Sequence, residues 1–364
     1  MFMMFFLFWA FATLQPTIAE SAKTPAPIVF IHGIKGAKLV NPEGSLRYLS
    51  LWQGLGFSTS SLALPMQFID GKQQRDDLRV DEILDKVGPV GLYNSFMDEA
   101  AKFQVPFTAF TYDWRRENLE SVDAFIKFLE ATKAKYGNLK VNVIAHSMGG
   151  LITLTALNRR PDLFERVVFV AVPFIGGIGL MPELHAGRST GWNRSILSPP
   201  TLITFPSFLS VFPLQCDRLL DKNNKTIAVD LYDSSDWQRL KLGPFATSIP
   251  SESFQKFFAE ALTRAKTFQQ GIVKTAITYP PILAVAGSGF KTTTYMIQDG
   301  PEAELGWDFE TAPTKNGDGL VSLTNVRPPA GIEHAYLEIK SDHLGVLTAP
   351  ETIRAMRKFL AIEP

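Results

Sequence analysis

The chain has 364 residues, enough for one large domain or two smaller ones, and 46% of it is apolar, with 28 phenylalanines to fill a core. Lys and Arg total 36, as do Asp and Glu, so the formal net charge is zero and polyanion binding has no compositional support. The single cysteine, Cys216, excludes an intramolecular disulfide and a cysteine zinc cluster, and reads as a small apolar filler.

Phe2 to Leu14 is almost wholly apolar and is followed by Gln15-Pro16-Thr17-Ile18-Ala19-Glu20. Residues 1–19 therefore read as a secretory signal peptide cleaved after Ala19, although only the amino terminus supplies a positive charge. The run is short for a transmembrane helix, which needs about 20 residues. Export to a periplasm, cell envelope or exterior is the expectation, with an uncleaved membrane anchor as the alternative. A single cysteine in an exported chain suits a bacterial envelope.

Pro27 to Ile31 predicts a first strand, running into the glycine-bearing loop His32-Gly33-Ile34-Lys35-Gly36. Residues 41–90 read as irregular. Gly91 to Phe103 predicts a helix, Phe107 to Tyr112 a strand, and Leu119 to Tyr136 a helix with Val122, Phe125, Ile126 and Leu129 on one face. Strand 141–145, helix 149–159 and strand 166–172 continue an alternation that marks a mainly parallel sheet with helices on both faces. From about 174 to 270 prolines interrupt the rhythm, and a helix capped by Ser253 carries the stripe Phe254, Phe257, Phe258, Ala261, Leu262, Ala265 and Phe268. This hydrophobic insertion reads as a cap over the site. Residues 282–287 and 335–339 resume the sheet, and Thr352 to Ile362 closes the chain as a helix.

Val141-Asn142-Val143-Ile144-Ala145-His146-Ser147-Met148-Gly149-Gly150 carries the chemistry. A β-branched run stops at a serine flanked two residues either side by Ala145 and Gly149, then gives way to a helical pattern. That is the strand–elbow–helix setting of an A-x-S-x-G nucleophile. A serine hydroxyl needs a base, a carboxylate to orient the base, and donors for the oxyanion. In such elbows the acid and then the histidine follow the serine in the chain. Of His32, His146, His185, His334 and His343, the last lies after Ser147 in a loop just past a strand, and is the candidate base. Asp318, in the turn Asn316-Gly317-Asp318-Gly319, is the candidate acid, with Asp299, Asp308 and Asp342 as fallbacks. The N–H groups of Ile34 and Met148 are the candidate oxyanion donors. Asp113, which precedes Ser147, reads as a partner for neighbouring arginines that pins a loop.

These motifs together resemble the lecithin:cholesterol acyltransferase family, which includes lysosomal phospholipase A2. The resemblance rests on Gly33-Ile34-Lys35-Gly36, Gly91-Leu92-Tyr93, Tyr112-Asp113-Trp114-Arg115, Ala145-His146-Ser147-Met148-Gly149, Pro173-Phe174-Ile175-Gly176-Gly177, Asn316-Gly317-Asp318-Gly319 and Asp342-His343. It implies an α/β-hydrolase domain over 23–364, with a small membrane-contacting insertion at about 41–90 and a cap or lid at about 176–270. It also implies cleavage of a lipid acyl ester and transfer of the acyl group to water or an alcohol. The chain departs from the family's animal members in lacking disulfides, from some members in Ile34, which replaces a polar residue, and from the usual Val-Pro in Val321-Ser322 after the acid turn.

The expected function is therefore a serine acyl hydrolase or acyltransferase working on lipid at a membrane surface through Ser147, His343 and Asp318. Neither half-reaction calls for a metal or organic cofactor. A soluble carboxylesterase or triacylglycerol lipase is the alternative, and an inactive hydrolase fold serving as an envelope binding module a remoter one.

Overall fold

The computed structural model describes residues 25–57, 61–88, 90–187, 193, 195–273 and 275–362. The signal-peptide reading of residues 1–19 lies outside them. Six apolar runs form the central sheet: β1 (Ile28–Ile31), β2 (Phe107–Phe110), β3 (Val141–His146), β4 (Phe164–Val170), β5 (Ile282–Ser288) and β6 (Ala335–Lys340). All neighbours are parallel, in the order β6-β5-β4-β3-β1-β2.

Parallel strands covered on both faces read as continuous apolar runs rather than alternating ones, which is why β1 and β3 are so uniformly hydrophobic. Their side chains still divide by the two-residue pleat. Ile28 and Phe30 join Phe96, Val346 and Met356, carried by α1 (Asn94–Ala101) and the C-terminal helices, on one side. Val29 and Ile31 join Val122, Phe125 and Leu151, carried by α2 (Asn118–Lys135) and α3 (Met148–Arg159), on the other. The same second core takes in the phenylalanine stripe of α4 (Glu252–Gln270). The last helix, α5, runs from Pro350 to Phe359, two residues earlier than its apolar pattern alone suggests, because proline is well suited to the first helical turn.

The chain passes from β1 out to β2 and then crosses back to β3 on the far side of β1. Loops leaving the C-terminal ends of β1 and β3 therefore diverge and open a crevice, the usual ligand position in an open parallel sheet. A six-stranded parallel sheet in this order, with a serine turn directly after β3, is the α/β-hydrolase fold.

Two regions differ from expectation. Residues 41–90, read as irregular, instead contribute to an antiparallel sheet of Leu46–Tyr48, Ala37–Val40 and Arg79–Ile83, a short helix Leu51–Gly54 with a Ser50/Gln53 capping box, and two small hairpins. Strands of two to five residues are too short for a period-two pattern to emerge. Arg115 fastens this region to the core: its buried guanidinium bonds Asp76 at 2.6 Å, Asp113 at 2.8 Å and the Leu62 carbonyl at 3.0 Å. Asp113 thus has the local pairing role expected of it.

In residues 176–270 the prolines open helical turns as well as breaking them, as Pro199 and Pro206 do in Pro199–Leu202 and Pro206–Leu209. The cap of α4 is Ser251, whose hydroxyl accepts from the Phe254 N–H, rather than Ser253, which is the second residue of the helix. After β5 an unforeseen antiparallel ribbon, Phe290–Thr293 with Thr314–Gly317, carries the chain away and returns it to the C-terminal edge of the sheet. That return delivers Asp318 against Gly287, where a Cβ would sit 2.6 Å from the Asp318 Cβ.

Candidate active site

Ser147 ends β3 with φ 52° and ψ −128°, a strained conformation for a residue with a side chain. The strain persists because the packing around it leaves no room for relaxation. A Cβ on Gly149 would lie 2.4 Å from the His32 carbonyl, and one on Gly33 would lie 2.8 Å from the Ser147 Cβ. Small residues at these positions let α3 turn sharply off the strand beneath the loop that follows β1.

The three separated candidates converge. His343 Nε2 lies 3.0 Å from Ser147 Oγ, and its Nδ1 lies 2.8 Å from Asp318 Oδ2. An ionised carboxylate can only accept, so Nδ1 carries the proton and Nε2 is free to accept from the serine hydroxyl. Asp318 is almost fully buried, and its Oδ1 accepts the N–H groups of Leu320 at 2.8 Å and Val321 at 2.7 Å. Burial works against its charge, yet the His343 contact and those N–H groups outweigh it and hold the carboxyl below its ordinary pKa.

The fallback acids have other duties. Asp308 accepts the N–H groups of Glu302, Glu310 and Thr311; Asp342 Oδ1 accepts those of Leu344 and Gly345, which shapes the loop bearing His343. Among the described residues, no carboxylate other than Asp318 bonds the His343 ring.

Ile34 and Met148 flank the serine from the β1 loop and from the start of α3, and neither N–H has a partner among the described residues. The Ile34 loop is shaped by Lys35 at φ 62° and by a bond from the Gly36 N–H to the Gly33 carbonyl, 3.2 Å. Beneath it lies a contact that no local pattern announces. The Gly33 N–H donates to Tyr93 Oη at 2.9 Å, Tyr93 Oη lies 2.7 Å from His146 Nδ1, and His146 Nε2 lies 3.0 Å from the His343 carbonyl. Tyr93 sits in the Gly91-Leu92-Tyr93 motif, which was the one sequence signal available for it.

The other buried imidazoles serve the same framework. His32 Nδ1 donates to the Gly33 carbonyl at 2.7 Å, its Nε2 accepts the Tyr112 N–H at 3.3 Å, and its ring stacks on Tyr112 at 4.3 Å. His185 joins the Gly243 N–H to the Glu304 carbonyl. Burial lowers the pKa of His32 to about 4 and that of His146 to about 3. In the unfolded chain both would take up a proton near pH 6.5, so the unfolded state binds more protons below that pH. The stability they confer is complete above pH 6.5 and drains away as pH falls towards 4 and 3. Denaturant unfolding at pH 7.5 and pH 5 should differ by about 4 kcal/mol. A level unfolding free energy between these pH values would refute the assignment of both rings as buried and neutral.

Ser147 and His343 open into a cavity of about 700 Å³. Its walls are mostly apolar and come from both insertions: Leu49, Leu55 and Leu84 from the first, Leu180 and Val211 from the second. The Lys35–Glu183 ion pair, 2.5 Å, joins the β1 loop to the second insertion at the wall. A space of this size and lining suits an apolar ligand.

The sequence pattern of the lecithin:cholesterol acyltransferase family matches residues 102–277, which include Tyr112-Asp113-Trp114-Arg115 and the Ser147 elbow. Lecithin-cholesterol acyltransferase-like 4 of Arabidopsis thaliana is 38% identical over 95 residues, 24% of this chain and 18% of that protein. Over this segment the chain is similar to the lecithin:cholesterol acyltransferase family. An uncharacterized protein of Saccharomyces cerevisiae is 26% identical over 230 residues, covering 62% of this chain and 35% of the yeast protein. The chain thus spans about a third or less of the curated relatives it matches. Among solved structures, a chain of the Tle4–Tli4 complex superposes with a TM-score of 0.57 at 14% identity, over 93% of this chain and 99% of the other, a likeness of fold. His343 and Asp318 lie beyond the matched family segment, and it is the fold that carries them back to the serine.

Proposed function

We propose that this protein is a serine acyl hydrolase or acyltransferase that acts on lipid acyl esters at a membrane surface. The observation that carries the reading is a serine on a strained elbow, in hydrogen-bond reach of an aspartate-held imidazole, at the floor of an apolar cavity. In the first half-reaction Ser147 Oγ bonds to the acyl carbon while His343 Nε2 takes the serine proton. The carbonyl π pair moves onto oxygen, where the Ile34 and Met148 N–H groups receive it. The tetrahedral intermediate collapses, the ester C–O bond breaks, and the departing alcohol takes the proton from His343. Water or a second alcohol then attacks the acyl-serine by the same steps in reverse.

The cavity mouth supports a membrane as the place of work. Leu51, Val90, Leu320 and Leu344 both line the cavity and remain exposed. Beside them Trp52 and Phe57 are 63% and 71% exposed, their rings packed edge to face at 5.6 Å. Large exposed apolar side chains gathered at a site entrance are what a lipid surface would cover. No helix among the described residues is long and apolar enough to cross a membrane.

The test compares phospholipid vesicles with a soluble short-chain ester, following lipid products by mass spectrometry. Wild type should release fatty acid or transfer it from vesicles. The Trp52→Ser/Phe57→Ser variant should lose tenfold or more of vesicle turnover and keep its rate on the soluble ester. Equal loss on both substrates would reject the interfacial role. Activity confined to the soluble ester in wild type would favour the carboxylesterase alternative.

A further inference from the structure

Resting on the reading above, we infer that Tyr93 and His146 are positioning residues that lock the oxyanion loop and the base-bearing loop into one register through a single directed hydrogen-bond relay. The direction follows from donor and acceptor capacity alone. The His343 carbonyl can only accept, so His146 Nε2 carries its hydrogen. A neutral imidazole then has Nδ1 as an acceptor, so the Tyr93 hydroxyl must donate to it. The Tyr93 oxygen is left to accept, and the Gly33 N–H supplies that bond. Every group in the chain from Gly33 to His343 is used once, and no second arrangement satisfies all of them.

The relay's two ends adjoin the two loops that the chemistry needs. Gly33 immediately precedes Ile34, which lines the cavity together with Ser147, and His343 is the candidate base. Both relay side chains are buried, Tyr93 packs against Phe30 at 5.5 Å, and the His146 ring stands between the rings of Tyr93 and His343 at 5.6 and 4.9 Å. Tyr93 is itself held where α1 begins, by the Asp85 carbonyl, which accepts the N–H groups of Leu92, Tyr93 and Asn94. The low pKa of His146, about 3, keeps the acceptor nitrogen available throughout the range in which a histidine base can work. Both residues border the cavity, but their polar atoms are spent on the relay, so their effect on the chemistry passes through the loops they hold.

The experiment uses the full chain with Tyr93→Phe, which deletes one hydroxyl at nearly constant volume. His146→Gln is the second variant, because its amide nitrogen can still reach the His343 carbonyl while the Tyr93 contact is lost. On a soluble short-chain ester, each variant should lower kcat by ten- to a hundredfold with KM within threefold. The inhibition constant of an alkyl boronic acid, which forms a tetrahedral adduct on the serine, should rise by the same factor as kcat/KM falls. The double variant should be little worse than the poorer single one. A kcat within threefold of wild type in both variants, or a kcat loss without a change in boronate affinity, would overturn the relay. If wild type is inert to the ester and unlabelled by a fluorophosphonate, the functional reading has failed. The relay is then judged by the His343 Nδ1 proton resonance, which should exchange faster in Tyr93→Phe and would count against it if unchanged.

Discussion

Ser147→Ala should abolish ester turnover, lowering kcat by about 10⁵–10⁶-fold, the scale seen when a triad serine is removed alone. The hydroxyl is the atom that must bond to the acyl carbon, and no other nucleophile among the described residues is bonded to the His343 Nε2. Stability should move little, by about 1 kcal/mol or less, because the lost group makes one hydrogen bond and alanine leaves the strained elbow and its packing in place. Fluorophosphonate labelling should vanish in step with turnover. A variant that retains a hundredth of the wild-type rate with normal melting would show that another group attacks the ester, and the mechanism would fall.

Asp318→Asn should lower kcat by about 10⁴-fold while leaving substrate binding nearly intact, the scale of this substitution in a serine triad. The geometry gives the reason in advance. Oδ1 already accepts two N–H groups, from Leu320 and Val321, and an asparagine would put its carbonyl oxygen there. Its NH₂ would then face His343 Nδ1 at the 2.8 Å position and donate to it. That selects the tautomer with a hydrogen on Nε2, which cannot accept the Ser147 proton. By contrast Asp342→Asn should stay within a few-fold of wild type, since an asparagine oxygen can accept the Leu344 and Gly345 N–H groups as the aspartate does. Steady-state rates of the two variants side by side decide the matter. A larger loss in Asp342→Asn than in Asp318→Asn would reassign the acid.

The contrast between Asp318 and Asp342 also marks where sequence reading ends. Both are turn aspartates that fall between Ser147 and His343 in the chain, and Asp342 ranked lower only because it adjoins His343. What separates them is the ribbon Phe290–Thr293/Thr314–Gly317, whose short exposed strands leave no strong pattern in the sequence. The same holds for residues 41–90, where short strands with mixed burial read as irregular chain. The prolines of 176–270 were ambiguous for another reason: a proline ends one segment and suits the first turn of the next.

By itself the sequence determined the sheet and singled out Ser147 as the candidate nucleophile. Strands buried on both faces must be continuously apolar, and a serine forced to positive φ must be flanked by small residues, so both leave signatures a few residues long. The order of Ser147, Asp318 and His343 was legible in the same way, as a consequence of which loops reach one edge of such a sheet. Only the tertiary structure decided how those loops are held to each other. The bonds joining Gly33 to Tyr93, Tyr93 to His146 and His146 to His343 span 60, 53 and 197 residues. A hydrogen bond between groups so far apart imposes no spacing on the chain between them, and its partners become visible only when the packing of the strands has brought them within 3 Å.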